Sequence, residues 1–173
     1  DVERSRGLGD VYKRQVGAVS SYKLDFELVV AVARSKPLWQ FVFIWPTGEG
    51  EPFTDISLLE KEPNIHLLGK RSYEDLPRYC AGFACGWLPL RLTPYTEAMF
   101  PMKFFEYISA GLPVVATEID ALREFSSVAW LCDDTPEAFS KALTGCLAGH
   151  GPDQSVRLAM ASQYTYQART KRM

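Results

Sequence analysis

The chain holds 173 residues, 47% hydrophobic and 23% charged, with 19 basic against 21 acidic side chains. That length suits one domain with its own core, and its apolar and aromatic content excludes disorder, collagen and coiled coil. A net charge of -2 with no basic run argues against a nucleic-acid partner. The longest apolar run, residues 28–33, falls far below the roughly 18 residues of a membrane span. No transmembrane segment is expected. The location expected is cytoplasmic, with peripheral membrane contact left open.

Residues 1–15 (DVERSRGLGDVYKRQ) are charged and aperiodic, and resemble a translated sequencing-linker junction. They are read as a non-native leader or linker, and the domain is taken to span 16–173. From there short apolar runs alternate with helical patterns. The spacing predicts a strand at 16–20 and a helix at 23–36 with Leu24, Leu28, Ala31 and Val32 on one face. A strand at 40–45, a short helix at 55–61 and a strand at 64–68 follow. Next come a helix at 74–82, a strand at 83–90 and a loop at 93–100. The 101–110 helix carries Pro at its start and Gly111 behind it, the favoured asymmetry of helix ends. Strands at 112–117 and 128–132 precede the closing helices, 135–148 and 154–171.

Strands alternating with helices mean βαβ units. The fold class is therefore α/β, a doubly wound parallel sheet of about six Rossmann-like strands. Ligands bind such sheets outside the carboxyl ends of the strands. The turns after strands 1, 3 and 4 and the start of the 101–110 helix should then hold the site.

Three constellations fall there. Ser20 and Ser21 follow strand 1, where helix amides and hydroxyls favour an anion; a plain serine N-cap is the alternative. Gly69, Lys70, Arg71 and Ser72 follow strand 3, where amides could face a base and cations a phosphate, or the charges could simply be solvated. Met102, Lys103 and Glu106 open the 101–110 helix. Lys103 and Glu106 are neighbours at i, i+3, yet a cation in a first turn opposes the helix dipole by about 0.3–1 kcal/mol. A bound phosphate would reverse that sign, and Glu106 could accept from two sugar hydroxyls.

Other signals are weaker. Glu97 lies in the 93–100 loop within reach of a ligand, and Asp133-Asp134 reads as an N-cap rather than a metal pair. Cys80, Cys85, Cys132 and Cys146 make no CxxC, and with His66 and His150 form no ligand pattern. Cys85 and Cys132 read as small core residues. No metal or cofactor is expected, and no Ser/His/Asp set, HExxH or P-loop occurs.

PMKFFEYISAGLPVV, at 101–115, resembles the PxKxxEYxAxGxPVV signature in the C-terminal, donor-binding domain of GT-B glycosyltransferases, notably the family-4 group. VGAVSSYKLDFELV resembles that domain's opening strand and helix. NIHLLGKRSYEDLPRYCAGFACGWLPL resembles its central stretch, and YTYQAR the SWExR of its last helix. The resemblance implies one Rossmann-like half of a GT-B enzyme, which moves a sugar from a nucleotide-diphosphate donor to an acceptor without an essential metal. It implies a separate N-terminal acceptor-binding domain, and bacterial polysaccharide or cell-envelope synthesis as the setting.

By the same resemblance Glu106 holds the donor ribose, Lys103 lies near the diphosphate, and Gly69 to Ser72 flank the base. Ser20 and Ser21 face the phosphates. The family's first glutamate stands eight positions before its second, where this chain has Ala98. Glu97, one residue earlier, is the candidate on the donor-sugar side. A nucleotide-sugar epimerase of the same architecture and a non-catalytic Rossmann-like module are the alternative readings. A receiver module fits less well, because Ser20-Ser21 and Gly69-Lys70 stand where it needs acids. VGAVSS also lacks the later glycines of a dinucleotide fingerprint.

Overall fold

The computed structural model describes residues 12–16, 21–44, 54–69 and 71–164. Within them lie six strands: β1 (Tyr12–Val16), β2 (Gln40–Ile44), β3 (Ile65–Leu67), β4 (Gly86–Leu88), β5 (Val114–Thr117) and β6 (Trp130–Cys132). The helices are α1 (Phe26–Ser35), α2 (Ser57–Glu60), α3 (Leu76–Cys80), α4 (Pro94–Glu97), α5 (Met102–Ser109), α6 (Pro136–Leu147) and α7 (Gln154–Gln163). Two 3-10 turns, Tyr73–Asp75 and Asp120–Phe125, precede α3 and β6.

All ladders are parallel. β2 lies between β1 and β3, with Val16 opposite Ile44 and Phe41 opposite Ile65. β5 lies between β4 and β6, with Gly86 opposite Val114 and Thr117 opposite Cys132. The class is the expected parallel α/β fold, built as two three-stranded ladders rather than one of six. β1 adjoins β4, so the strands run in the order 3-2-1-4-5-6 of a doubly wound sheet.

Burial on both faces explains the unbroken apolar runs of β2 and β5. Successive side chains of a strand point to opposite faces, and β4 uses this directly. Trp87 meets Phe41, Phe43 and the α6 residue Phe139, with ring centroids 5.0, 6.4 and 6.1 Å away. Its neighbour Gly86 faces α5, where a Cβ would sit 2.5 Å from Tyr107 Cδ2. Helices α6 and α5 therefore cover opposite faces of the sheet. On the first face α1 packs on α6, and on the second α5 packs on α7.

Several boundaries differ from those expected. The first described strand is 12–16, most of it inside the segment read as leader, and of the strand expected at 16–20 only Val16 lies among the described residues. Residues 17–20 lie outside the described residues. Helix α1 starts at Phe26, later than expected, because Asp25 takes the N-cap and accepts from Leu28 N at 2.9 Å. That also removes the reading of Ser21 as the cap of this helix. At 93–100 the chain makes α4 rather than plain loop. Asp120–Phe125 forms a 3-10 turn that no periodicity announced. Thr135, not Asp133 or Asp134, caps α6, accepting from Ala138 N at 3.2 Å.

Candidate functional site

Helix α5 has two sides. Phe104, Phe105, Tyr107 and Ile108 are buried, which leaves Met102, Lys103 and Glu106 turned outward at helical spacing. Lys103 Nζ donates to Glu106 Oε2 at 2.6 Å, with side-chain exposures of 22% and 34%. A partly exposed i, i+3 pair contributes about 0–1 kcal/mol at most. Pro101 stands at the N-cap in extended conformation and makes no side-chain capping bond, and the first turn holds no acid. The helix thus opens with amides, a lysine and no anion of its own in the first turn, an arrangement that favours binding one. Behind the pair, burial raises the Cys80 thiol pKa, Glu106 raises it further, and Lys103 lowers it.

The turn after β1 is stitched to the segment after β4. Arg91 N donates to Lys23 O at 2.9 Å, Asp25 N donates to Pro89 O at 3.0 Å, and Leu24 bridges Leu90. Tyr22 meets Tyr95 edge-on at 5.3 Å, and Lys23 Nζ lies 5.1 Å from the Tyr22 ring centre. Ser21 sits in this turn, half-buried; Ser20 lies outside the described residues. Thr93 and Thr96 form a capping box that fixes α4. At its end Glu97 Oε2 accepts from Asp120 N at 3.2 Å, tying α4 to the turn after β5.

In the turn after β3 the described side-chain bonds are local. Gly69 has a φ of +68°, which a side chain rarely adopts. Arg71 Nε donates to Tyr79 OH at 3.1 Å. Ser72 Oγ donates to Asp75 Oδ2 at 2.6 Å and accepts from Asp75 N at 3.2 Å. Lys70 lies outside the described residues. Every candidate that the structure describes falls at the carboxyl side of a strand or at the start of α5. The described contacts join the strand-1 turn to the segment after β4, and Glu97 to the turn after β5.

Residue-level reading missed the Tyr22–Tyr95 contact and the Thr93/Thr96 cap. The second carried a legible signal, since threonine before proline is a helix-start pattern. Among the described residues, no three His, Cys, Asp or Glu side chains converge as a metal site. None of the described helices is long and apolar enough to cross a membrane.

The sequence pattern of the family described as Glycosyl transferases group 1 matches residues 19–149. The chain belongs to that family. A relative from Bacillus subtilis (strain 168), TuaH, assigned as a teichuronic acid biosynthesis glycosyltransferase, is 34% identical over 97 residues. That match covers 56% of this chain and 24% of TuaH. Among solved structures, sucrose-phosphate synthase from Thermosynechococcus elongatus superposes with a TM-score of 0.76 at 17% identity, over 95% of this chain and 44% of that one. Anabaena HepE, in complex with UDP and glucose, gives 0.71 at 19% identity, over 90% and 44%. These likenesses establish the GT-B type of Rossmann-like fold, and the chain spans less than half the length of each of these proteins.

Proposed function

We propose that this chain is the donor-binding domain of a glycosyltransferase that moves a sugar from a nucleotide-diphosphate donor to an acceptor in bacterial polysaccharide or cell-envelope synthesis. The observation that carries the reading is the opening of α5. A lysine in the first turn of a helix stands against the helix dipole, and a bound diphosphate would reverse the sign of that effect. Glu106, one turn on, accepts from the ribose hydroxyls while Lys103 meets the diphosphate. The reading assigns Gly69, Lys70, Arg71 and Ser72 to the base, and Ser20 and Ser21 to the phosphates.

In the transfer step the acceptor hydroxyl attacks the anomeric carbon, and the nucleoside diphosphate leaves with the bond's electrons. Lys103 is placed to stabilise the charge that develops on that leaving group. Glu97 is the candidate for the donor-sugar side. Its bond to Asp120 N ties it to the turn after β5, the kind of support a positioned carboxylate needs. The acceptor is held by a separate domain, so the 173-residue chain binds nucleotide and transfers no sugar. TuaH, named for teichuronic acid biosynthesis, and HepE, solved with UDP and glucose, support a nucleotide-sugar donor and a polysaccharide product.

Calorimetric binding tests the reading. UDP should bind more tightly than uridine, and Lys103→Ala should erase most of that difference. Equal affinity for nucleoside and nucleoside diphosphate would contradict it.

A further inference from the structure

Two of the four cysteines meet in the core. Cys85 precedes β4 and Cys146 lies near the end of α6, 61 positions apart, and Cys146 Sγ donates to Cys85 Sγ across 3.3 Å. Both are buried, reduced thiols. Arg157 of α7 sits within the field of both. Burial lowers its pKa, while the charges of Cys146, Cys85 and Asp153 raise it. Its guanidinium is fixed by a 2.8 Å bond from Nη2 to Gly111 O.

The other two cysteines differ in setting. Cys132 donates to Ala116 O at 3.7 Å, and burial, then Asp133, pushes its thiol up to about 12. Burial likewise raises Cys80, which lies beside the Lys103–Glu106 pair. Cys132 therefore meets a carbonyl, whereas Cys146 meets a second sulfur.

We propose that Cys85 and Cys146 are an oxidisable pair that hydrogen peroxide closes to an intramolecular disulfide, joining β4 to α6 through the core. Cys146, 7% exposed against 1% for Cys85, meets the oxidant first. Its sulfur attacks one peroxide oxygen, the O–O bond breaks, and a sulfenic acid forms as the leaving hydroxide takes up the thiol proton to become water. The Cys85 sulfur then displaces the sulfenic oxygen, which departs as a second water with the Cys85 proton. Two electrons pass from the pair to the peroxide. Closing the contact to a bonded separation of about 2 Å needs the sulfurs to approach by roughly 1 Å. A thiol reductant reverses the link.

The test treats the whole 173-residue chain with hydrogen peroxide and maps its cysteines by non-reducing peptide mass spectrometry. The result expected is one cross-linked product joining the Cys85 and Cys146 peptides, a chain lighter by two hydrogens, and full reversal by dithiothreitol. The oxidised chain should also melt above the reduced one, because the link restricts the unfolded ensemble. Cys146→Ala should lose the cross-link, while Cys132→Ala should keep it. Mapping of the unmutated chain decides the question even if a variant fails to fold. A link through Cys80 or Cys132, sulfinic acid at Cys146 in place of a link, or an unoxidised pair at peroxide levels that oxidise the unfolded chain would overturn the proposal.

Discussion

The opening of α5 and the turn after β3 both bring cations to the carboxyl side of the sheet, but they are built differently. In α5 the buried side of the helix locks Phe104, Phe105, Tyr107 and Ile108 into the core, so Lys103 and Glu106 ride on a rigid element. In the turn after β3, Arg71 and Ser72 bond to Tyr79 and Asp75 on the following segment, and both are exposed. A site held by core packing can fix charge with little reorganisation on binding, whereas a turn whose side chains already have local partners contributes mainly its backbone. The proposed donor site accordingly rests its charge recognition on α5 and its base contact on the amides beside Gly69.

The comparison can be broken from below. Gly86→Val would drive a branched side chain into Tyr107, which is fully buried, and should destabilise the chain by about 3 kcal/mol, the upper end of ordinary overpacking costs. Denaturant melts would measure it, and nucleotide binding should fall with the displaced α5. Glu106→Ala separates binding from stability. Affinity for a nucleoside diphosphate should drop roughly 10–100-fold, as expected for lost hydrogen bonds to a charged group, while stability changes by less than about 1 kcal/mol.

Lys103→Ala should cost roughly tenfold in affinity, with a loss that shrinks as salt screens the charge. The smallest effect belongs to the other region. Ser72→Ala should cost about 0.5–1 kcal/mol of stability, the scale of a lost cap, and change nucleotide affinity by less than roughly threefold, within RT-scale energies. If Ser72→Ala weakened binding as much as Glu106→Ala, the contrast between the two regions would fail.

Much of this organisation was legible in the chain. The runs QFVFI and VVAT carry the signature of strands buried on both faces, and Pro101 with Gly111 brackets α5 as helix-end preferences require. The positions of the proposed site were chosen from that frame. What escaped had physical causes. YKRQV reads as polar and aperiodic, yet it pairs with β2 along its whole length, an instance of tertiary pairing overriding local pattern. Helix α4 is four residues long, too short for periodicity, although its Thr-Pro start was visible. Asp25 displaced the serines as the cap of α1 because the backbone is pinned to Pro89 and Leu90, a contact no local window contains. The approach of Cys85 to Cys146 is likewise set by how α6 docks on the sheet, not by spacing.

The central claim, that the opening of α5 holds the donor nucleotide, is tested most directly by an NMR titration of the 173-residue chain with UDP and GDP, repeated on Glu106→Ala. The account predicts saturable amide shifts that cluster at Lys103, Glu106, Ser21 and Gly69, stronger for one base than the other, and markedly weakened in the variant. Saturable shifts centred elsewhere on the sheet and unchanged by Glu106→Ala would contradict it.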